Sequence, residues 1–379
     1  MKMETTSVVI GTEEDGGASL LSTLASLNAM LWLGLLTVSM LLTIPVALRY
    51  EKSSTLTVID GKLALDFEKF ITRWHPYRDY SLNGWAALEL AAFQSGKPGV
   101  VIGQEGWMFT MEEFPLPSAR QKTLEKNLGQ ILSSVETLRS RGLDVVVVPI
   151  PAKAEIYSDR VPEKLRGHIL PTAVLTDFLT QHNIPWIPLR EELAQARQRG
   201  AEPFFRSETH WTPEGARIAA AATARWAGAE GHRSWEGRPY TVQADKTLPL
   251  ESDLENYVPL RPHFARLLPP QESYLSYRVA SATPVADAGA LFGEAANPVA
   301  LVGTSYSADE RWNFTGWLRA ALQTDLDNVS EKARGPFAPM AQFLEKLDAG
   351  KTAPKLVIWE VPVRSVAVDY TPKKSYFAP

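Results

Sequence analysis

Hydrophobic positions along the chain fall into two regimes. From Gly16 to Leu48 no residue carries a charge, and 29–48 is a dense apolar run of twenty. That is about the length a helix needs to cross a hydrocarbon core, with Trp32 and Tyr50 suited to the two interfaces. The preceding tail sets Glu4, Glu13, Glu14 and Asp15 against Lys2, so it lacks the basic region of a signal peptide, and no small-x-small cleavage site follows. The pattern therefore predicts a tail over 1–28 and an uncleaved transmembrane anchor over 29–48. Arg49 and Lys52 against Lys2 tilt the positive-inside rule slightly towards a cytoplasmic main domain.

Beyond the anchor the pattern changes to short apolar runs separated by amphipathic stretches. Four runs, 144–150, 184–189, 298–303 and 355–361, read as buried strands. Continuous β-branched stretches such as Val145-Val146-Val147-Val148 fit strands covered on both faces of a parallel sheet. Over 118–141, Leu124, Leu128, Ile131, Leu132, Val135 and Leu138 recur at helical spacing, and Gly142 ends the pattern. Thr212-Pro213 opens a second helix, threonine as N-cap and proline in the first turn, running to about Trp226. Residues 317–322 and 339–347 are expected to be helical as well. Strand and helix alternate, which predicts an α/β layer sandwich filling 49–379. Within it, 238–296 is rich in proline, charge and alanine and is expected to be an irregular insertion.

Composition narrows the function classes. The chain has 379 residues, 45% apolar and 22% charged, with a net charge of -4, so it reads as a folded globular protein and gives no reason to expect nucleic acid as a partner. With no cysteine, thiol catalysis and cysteine-ligated metal sites are excluded. Neither a Gly-x-Gly-x-x-Gly fingerprint nor a Walker pattern occurs.

What remains is hydroxyl chemistry. Of six histidines, His75, His168 and His263 follow an arginine by two positions and His182 a threonine. Only His210 and His232 have a carboxylate there, Glu208 and Glu230. His232 lies in a polar stretch typical of a solvated turn, whereas His210 lies between the strand-like Phe204-Phe205 and a capped helix. Ser305 follows an apolar strand at a turn, where its hydroxyl can face the crevice above a sheet and its backbone N–H a developing oxyanion. Serine needs a base, and the base works best when a carboxylate orients it. Ser305, His210 and Glu208 supply those three roles. Lys153, after the first strand, is read as a surface or ion-pair residue, and Trp107 as core.

Taken together, Glu208-Thr209-His210-Trp211-Thr212-Pro213 and Gly303-Thr304-Ser305-Tyr306-Ser307 resemble the histidine and nucleophile blocks of the alginate O-acetyltransferase family, a circularly permuted branch of the SGNH hydrolase-like fold. Asp60-Gly61-Lys62, Gly103 to Phe109, Pro151-Ala152-Lys153-Ala154, Gly335-Pro336-Phe337 and Leu356 to Pro362 agree in order, so the resemblance covers roughly residues 50 to 365. One position departs: the family's aspartate is Glu208 here. The resemblance implies a three-layer sandwich with a mostly parallel sheet behind one transmembrane helix. It also implies the membrane-anchored branch, since the chain ends soon after the last strand with no room for a carbohydrate-binding module.

The expected activity is transfer of an acetyl group through an acetyl-serine intermediate onto hydroxyls of an exopolysaccharide such as alginate or cellulose. No cofactor and no metal are expected. The resemblance implies a membrane-bound O-acyltransferase as acetyl-donating partner and a catalytic domain in the periplasm, held by the anchor to the cytoplasmic membrane. An acetyl esterase and a non-catalytic polysaccharide-binding scaffold stay open beside this reading. Tyr306, Trp312 and Arg334, near the motif blocks, are candidate contacts to the sugar.

Overall fold

Apart from Asp15 at its start, no charged side chain interrupts the first helix, α1 (Asp15–Ala47). It carries an apolar stretch, Thr23–Ala47, long and apolar enough to cross a membrane, none of it buried by protein. The computed structural model describes residues 15–51, 58–115, 117–232, 235–282, 297–348 and 353–370. Residues 15–28, expected as a tail, are helical; 1–14 lie outside the described residues. The chain divides into two units, one ending at Trp85 and one starting at Ala86. The first also holds α2 (Lys62–Trp74) and the start of α3 (Arg78–Phe93).

In the second unit, β1 (Val100–Ile102) pairs antiparallel with β2 (Met108–Thr110). Then come α4 (Pro117–Ser140), β3 (Asp144–Ile150), and four helices, α5 (Lys153–Ile156), α6 (Glu163–Arg166), α7 (Ala173–Gln181) and α8 (Leu189–Gln198). Next are α9 (Pro213–Ala229), β4 (Tyr240–Pro249), β5 (Ser273–Ser281), β6 (Val299–Val302) and α10 (Ser305–Ala308). The chain closes with α11 (Phe314–Leu322), β7 (Leu326–Asn328), α12 (Phe337–Asp348) and β8 (Leu356–Pro362).

Four parallel strands, in the order β3-β8-β6-β7, make the central sheet. Successive side chains of a strand face opposite ways, and here both sides are apolar. Val146, Val148, Leu301 and Ile358 pack with residues of α8, α9 and α11, while Val145, Val147, Val302 and Trp359 pack with residues of α4, α7 and α12. That is the three-layer arrangement the resemblance implies, and it fits the α/β layering the sequence pattern predicts. All six apolar residues named for the helix over 118–141 reach the second of these cores.

Two expectations are corrected. The run 184–189 forms only a single bridge, Trp186 to Val147, and Leu189 already begins α8. Pro185 and Pro188 have no N–H to donate, so the run cannot extend as a ladder. The segment 238–296, of which 283–296 lie outside the described residues, is irregular only in part: β4 and β5 form an antiparallel pair from Tyr240↔Ser281 to Pro249↔Ser273, with a bulge between Ala244 and Thr247, while 250–272 between them holds loops and short 3-10 turns. Its strands alternate half-buried and exposed positions, so they lack the continuous apolar run that marks the central sheet.

Candidate active site

Ser305 stands at the first position of α10, immediately past the C-terminal end of β6, an inner strand of the sheet. Its turn is built against β8. Oε2 of Glu360, a fully buried carboxylate, accepts from the Thr304 backbone N–H at 2.7 Å and the Ser307 hydroxyl at 3.0 Å. A Cβ on Gly303 would fall 2.5 Å from that same oxygen, so only glycine lets the turn sit this close. Burial lifts the Glu360 carboxyl to about 7, against the pull of these hydrogen bonds.

His210 arrives from the other side, on the loop leading into α9. Thr212 caps that helix by accepting from the Gly215 N–H at 3.1 Å, and its hydroxyl donates to the Glu202 carbonyl. A Cβ on Gly215 would meet the Pro203 carbonyl at 2.3 Å, which fixes glycine there too. Phe204 and Trp211 form a bridge across the loop. Trp211 is fully buried, edge-on to Tyr306 at 5.2 Å, and the imidazole of His210 lies 4.7 Å from Tyr306 and stacks on Trp312 at 5.5 Å.

The three residues singled out from sequence meet. His210 Nε2 is 2.7 Å from Ser305 Oγ, and its Nδ1 is 2.7 Å from Glu208 Oε1. Oε2 of Glu208 accepts from the backbone N–H of Asp253 at 2.5 Å. The longer side chain is thus held at both oxygens. Burial lowers the basicity of His210 well below its usual range and raises the carboxyls of Glu208 and Asp253, the latter raised further by the charge of Glu208. A neutral imidazole with a free lone pair towards a hydroxyl is what a general base requires.

The histidine loop is clamped by residues that the motif pattern does not announce. Glu272 accepts from the backbone N–H groups of Arg206 and Ser207, each at 2.8 Å, and Asp253 from that of Thr209 at 2.8 Å. Both lie in the segment expected to be irregular. Lys153 is no surface residue. It is buried beside the rings of Trp107 and Phe109, and its ammonium donates to the carbonyls of Arg206 and Glu208 at 2.9 and 3.0 Å. Trp107 is core, as expected. Glu360 had a detectable signal, being the only charged residue in β8; Asp253 and Glu272 had none.

The sugar-contact expectations fare differently. Tyr306 and Trp312 are buried, 2% and 0% exposed, and Tyr306 is spent on structure: its hydroxyl donates to the Thr209 carbonyl at 2.9 Å and accepts from Arg364 at 3.1 Å. Neither has a face left for a sugar, so both are corrected to packing residues that seat the imidazole. Arg334 is exposed and paired with Glu331 at 3.0 Å, outside the triad's hydrogen bonds.

An open cavity of about 900 Å³ is lined by Asp253, which clamps the histidine loop, with Glu251, Glu255, Arg261, Asp309, Arg311 and Lys332 among others, and by none of the triad itself. Arg311 lies over the Trp312 ring, and with Lys332 it holds the Asp309 carboxyl well below its usual range despite burial. A cavity of about 990 Å³ near Gln104 and Pro269 contains none of the triad. Glu208, His210 and Asp253 bring potential metal-ligand atoms within 4.8 Å of one another. An ion there would take a His210 ring nitrogen already engaged by Glu208 or by Ser305.

The family model described as an SGNH hydrolase-like domain, acetyltransferase AlgX, matches residues 100–363. A probable alginate O-acetylase AlgJ from Azotobacter vinelandii is 38% identical over 325 residues, 85% of this chain and 83% of that one. The protein of the same name from Pseudomonas aeruginosa is 36% identical over 331 residues, 83% and 82% of the two chains. Among solved structures, the O-acetyltransferase domain of Pseudomonas putida AlgJ superposes with a TM-score of 0.63 at 32% identity, covering 75% of this chain and 96% of that domain. Pseudomonas aeruginosa AlgX, at 18% identity and a TM-score of 0.53 over 69% of this chain and 62% of its own, shares the fold.

Proposed function

The chain belongs to the SGNH hydrolase-like acetyltransferase family of AlgX and AlgJ, and from that premise we propose that it O-acetylates alginate through an acetyl-serine intermediate. The observation that carries this is the unbroken relay Glu208–His210–Ser305, two contacts of 2.7 Å around a neutral, buried imidazole.

In the first half-reaction Ser305 Oγ attacks the carbonyl of an acetyl donor while His210 Nε2 takes the hydroxyl proton. His210 then gives that proton to the departing group, and the acetyl-serine ester remains. In the second half a sugar hydroxyl attacks the ester, His210 takes its proton, and collapse returns the proton to Ser305 Oγ. Glu208 holds the imidazole in the tautomer with its proton on Nδ1 and balances the imidazolium formed in each half. Ser305 opens α10, and its backbone N–H is the oxyanion donor in this reading.

Acetyl would come from a membrane-embedded O-acyltransferase, with α1 as a single-pass anchor in the cytoplasmic membrane and the catalytic unit on the periplasmic side. The apolar stretch of α1 supports the anchor.

The test uses the detergent-solubilised full chain with an acetyl-ester donor, with and without mannuronate oligosaccharides. Acetylated oligosaccharide that vanishes with Ser305→Ala is the expected result. Hydrolysis without acetylated sugar would make the protein an esterase. No turnover at all, with polymer acetylation in cells unchanged by Ser305→Ala, would leave only a scaffold.

A further inference from the structure

The first unit leaves apolar surface that crossing a membrane does not by itself account for. In α2, Leu63, Phe67, Phe70, Ile71 and Trp74 share one side at helical spacing, with Glu68, Lys69 and Thr72 opposite. A helix of this pattern normally spends its apolar stripe on a core. Here no residue of α2 is buried, and Trp74 is 59% exposed.

Two contacts fix what lies next to it. Tyr50, just past the end of α1, sets its ring edge-on to Phe67 and Phe70 at 5.1 and 5.3 Å and donates to Asp66 at 2.7 Å. At the far end of α2, His75 Nε2 is 3.2 Å from the Thr43 hydroxyl. Thr43 lies four residues before Ala47, the last of the apolar stretch, so at the rise of a helix the end of α2 sits level with a point about 6 Å inside it. That is the depth at which tryptophan and tyrosine rings gather at a bilayer surface.

Charge agrees with depth. A cavity of about 400 Å³ at this junction is lined by Arg49, Lys69 and Arg73, together with Glu51 and Asp66, and Asp66 is already engaged by Tyr50. Among the described residues, no carboxylate forms an ion pair with any of the three cations. A basic recess opening beside exposed aromatic rings matches the phosphate of an anionic lipid with its acyl chains alongside.

We propose that α2 lies in the headgroup layer of the membrane that α1 spans, Phe67 and Trp74 at the acyl boundary, with Arg49, Lys69 and Arg73 holding the phosphate of an anionic phospholipid. This rests on α1 being a membrane anchor.

The chain has no cysteine, so single-cysteine variants of the full protein can each carry one environment-sensitive fluorophore. Leu35→Cys reports on the anchor, Phe67→Cys and Trp74→Cys on the apolar side of α2, and Glu68→Cys on its polar side. In vesicles of phosphatidylethanolamine and phosphatidylglycerol, labels at 67 and 74 should be shielded from an aqueous quencher by about threefold relative to 68, and quenched by a lipid-borne nitroxide. Vesicles of phosphatidylcholine alone, or an Arg49→Gln/Lys69→Gln/Arg73→Gln background, should reduce that shielding. If 67 and 74 are as open to water as 68 while 35 is protected, the proposal is overturned and the anchor stands. If 35 is itself open to water, both fall. Shielding that needs an added membrane acyltransferase would make the face a protein-docking surface and overturn the lipid assignment.

Discussion

The backbone N–H of Thr304 donates to Glu360 Oε2 at 2.7 Å, which ties the turn carrying Ser305 to a fully buried carboxyl on the neighbouring strand. Burial raises that carboxyl from 4.5 to about 7. Between those values the folded chain keeps a proton that the unfolded chain has lost. The stability contributed by the group is therefore complete below about pH 4.5 and falls away as pH rises to about 7. In Glu360→Gln that fall should disappear. Denaturant unfolding at about pH 5 and about pH 8 should show the wild type losing on the order of 3 kcal/mol more than the variant. Equal changes in the two proteins would refute this account of Glu360.

Glu208 uses both carboxylate oxygens, one on His210 Nδ1 and one on the Asp253 N–H. Glu208→Asp, one methylene shorter, cannot hold both without moving the backbone. Its kcat should fall about tenfold or more, because a displacement near 1 Å in a positioning group is that costly. Glu208→Gln, which favours the wrong tautomer, should fall further, by about 10⁴. Steady-state kinetics on the purified chain decide this. Full activity in Glu208→Gln would remove the carboxylate from the mechanism.

The pH profile should carry the mark of the buried imidazole. Protonating His210 abolishes the base, and burial lowers the pH at which that happens below the ordinary value of 6.5. The acidic limb of kcat/KM should accordingly lie below pH 6.5, with activity retained where an exposed histidine would already be charged. A limb at or above 6.5 would mean that the imidazole is wetter or more strongly paired than its surroundings imply.

Tyr306 separates a structural role from a substrate contact. Tyr306→Phe leaves the Thr209 carbonyl without its donor and removes the Tyr306 hydroxyl from Arg364, which keeps its ion pair with Glu112. Stability should drop by about 1–3 kcal/mol, and kcat should fall as the imidazole loosens, while KM for the oligosaccharide stays unchanged. A selective rise in KM would return Tyr306 to the sugar site.

Much of this protein was readable along the chain. The charge-free run from Gly16 to Leu48, the β-branched run at Val145 and the heptad-like spacing from Leu124 to Leu138 report burial one element at a time, and α1, β3 and α4 follow them. The Glu-x-His pair and the serine after a strand were legible for the same reason: each is a local pattern beside a local element. Where alternation was diluted by charge, as in β4 and β5, or proline removed a ladder donor, as at Pro185, local reading went astray.

Tertiary structure alone decided what holds the site together. Asp253, Glu272 and Lys153 grip the histidine loop from positions 44 to 66 residues away, and Glu360 grips the serine turn from 56 residues away. They do so through backbone N–H and C=O groups, which nearly every residue offers alike, so no spacing or residue type in the loop foretells its partners. Trp312 and Tyr306 illustrate the same limit. The sequence shows aromatic rings near a nucleophile, and only the packed layers determine that those rings face the imidazole and leave no side open for the sugar.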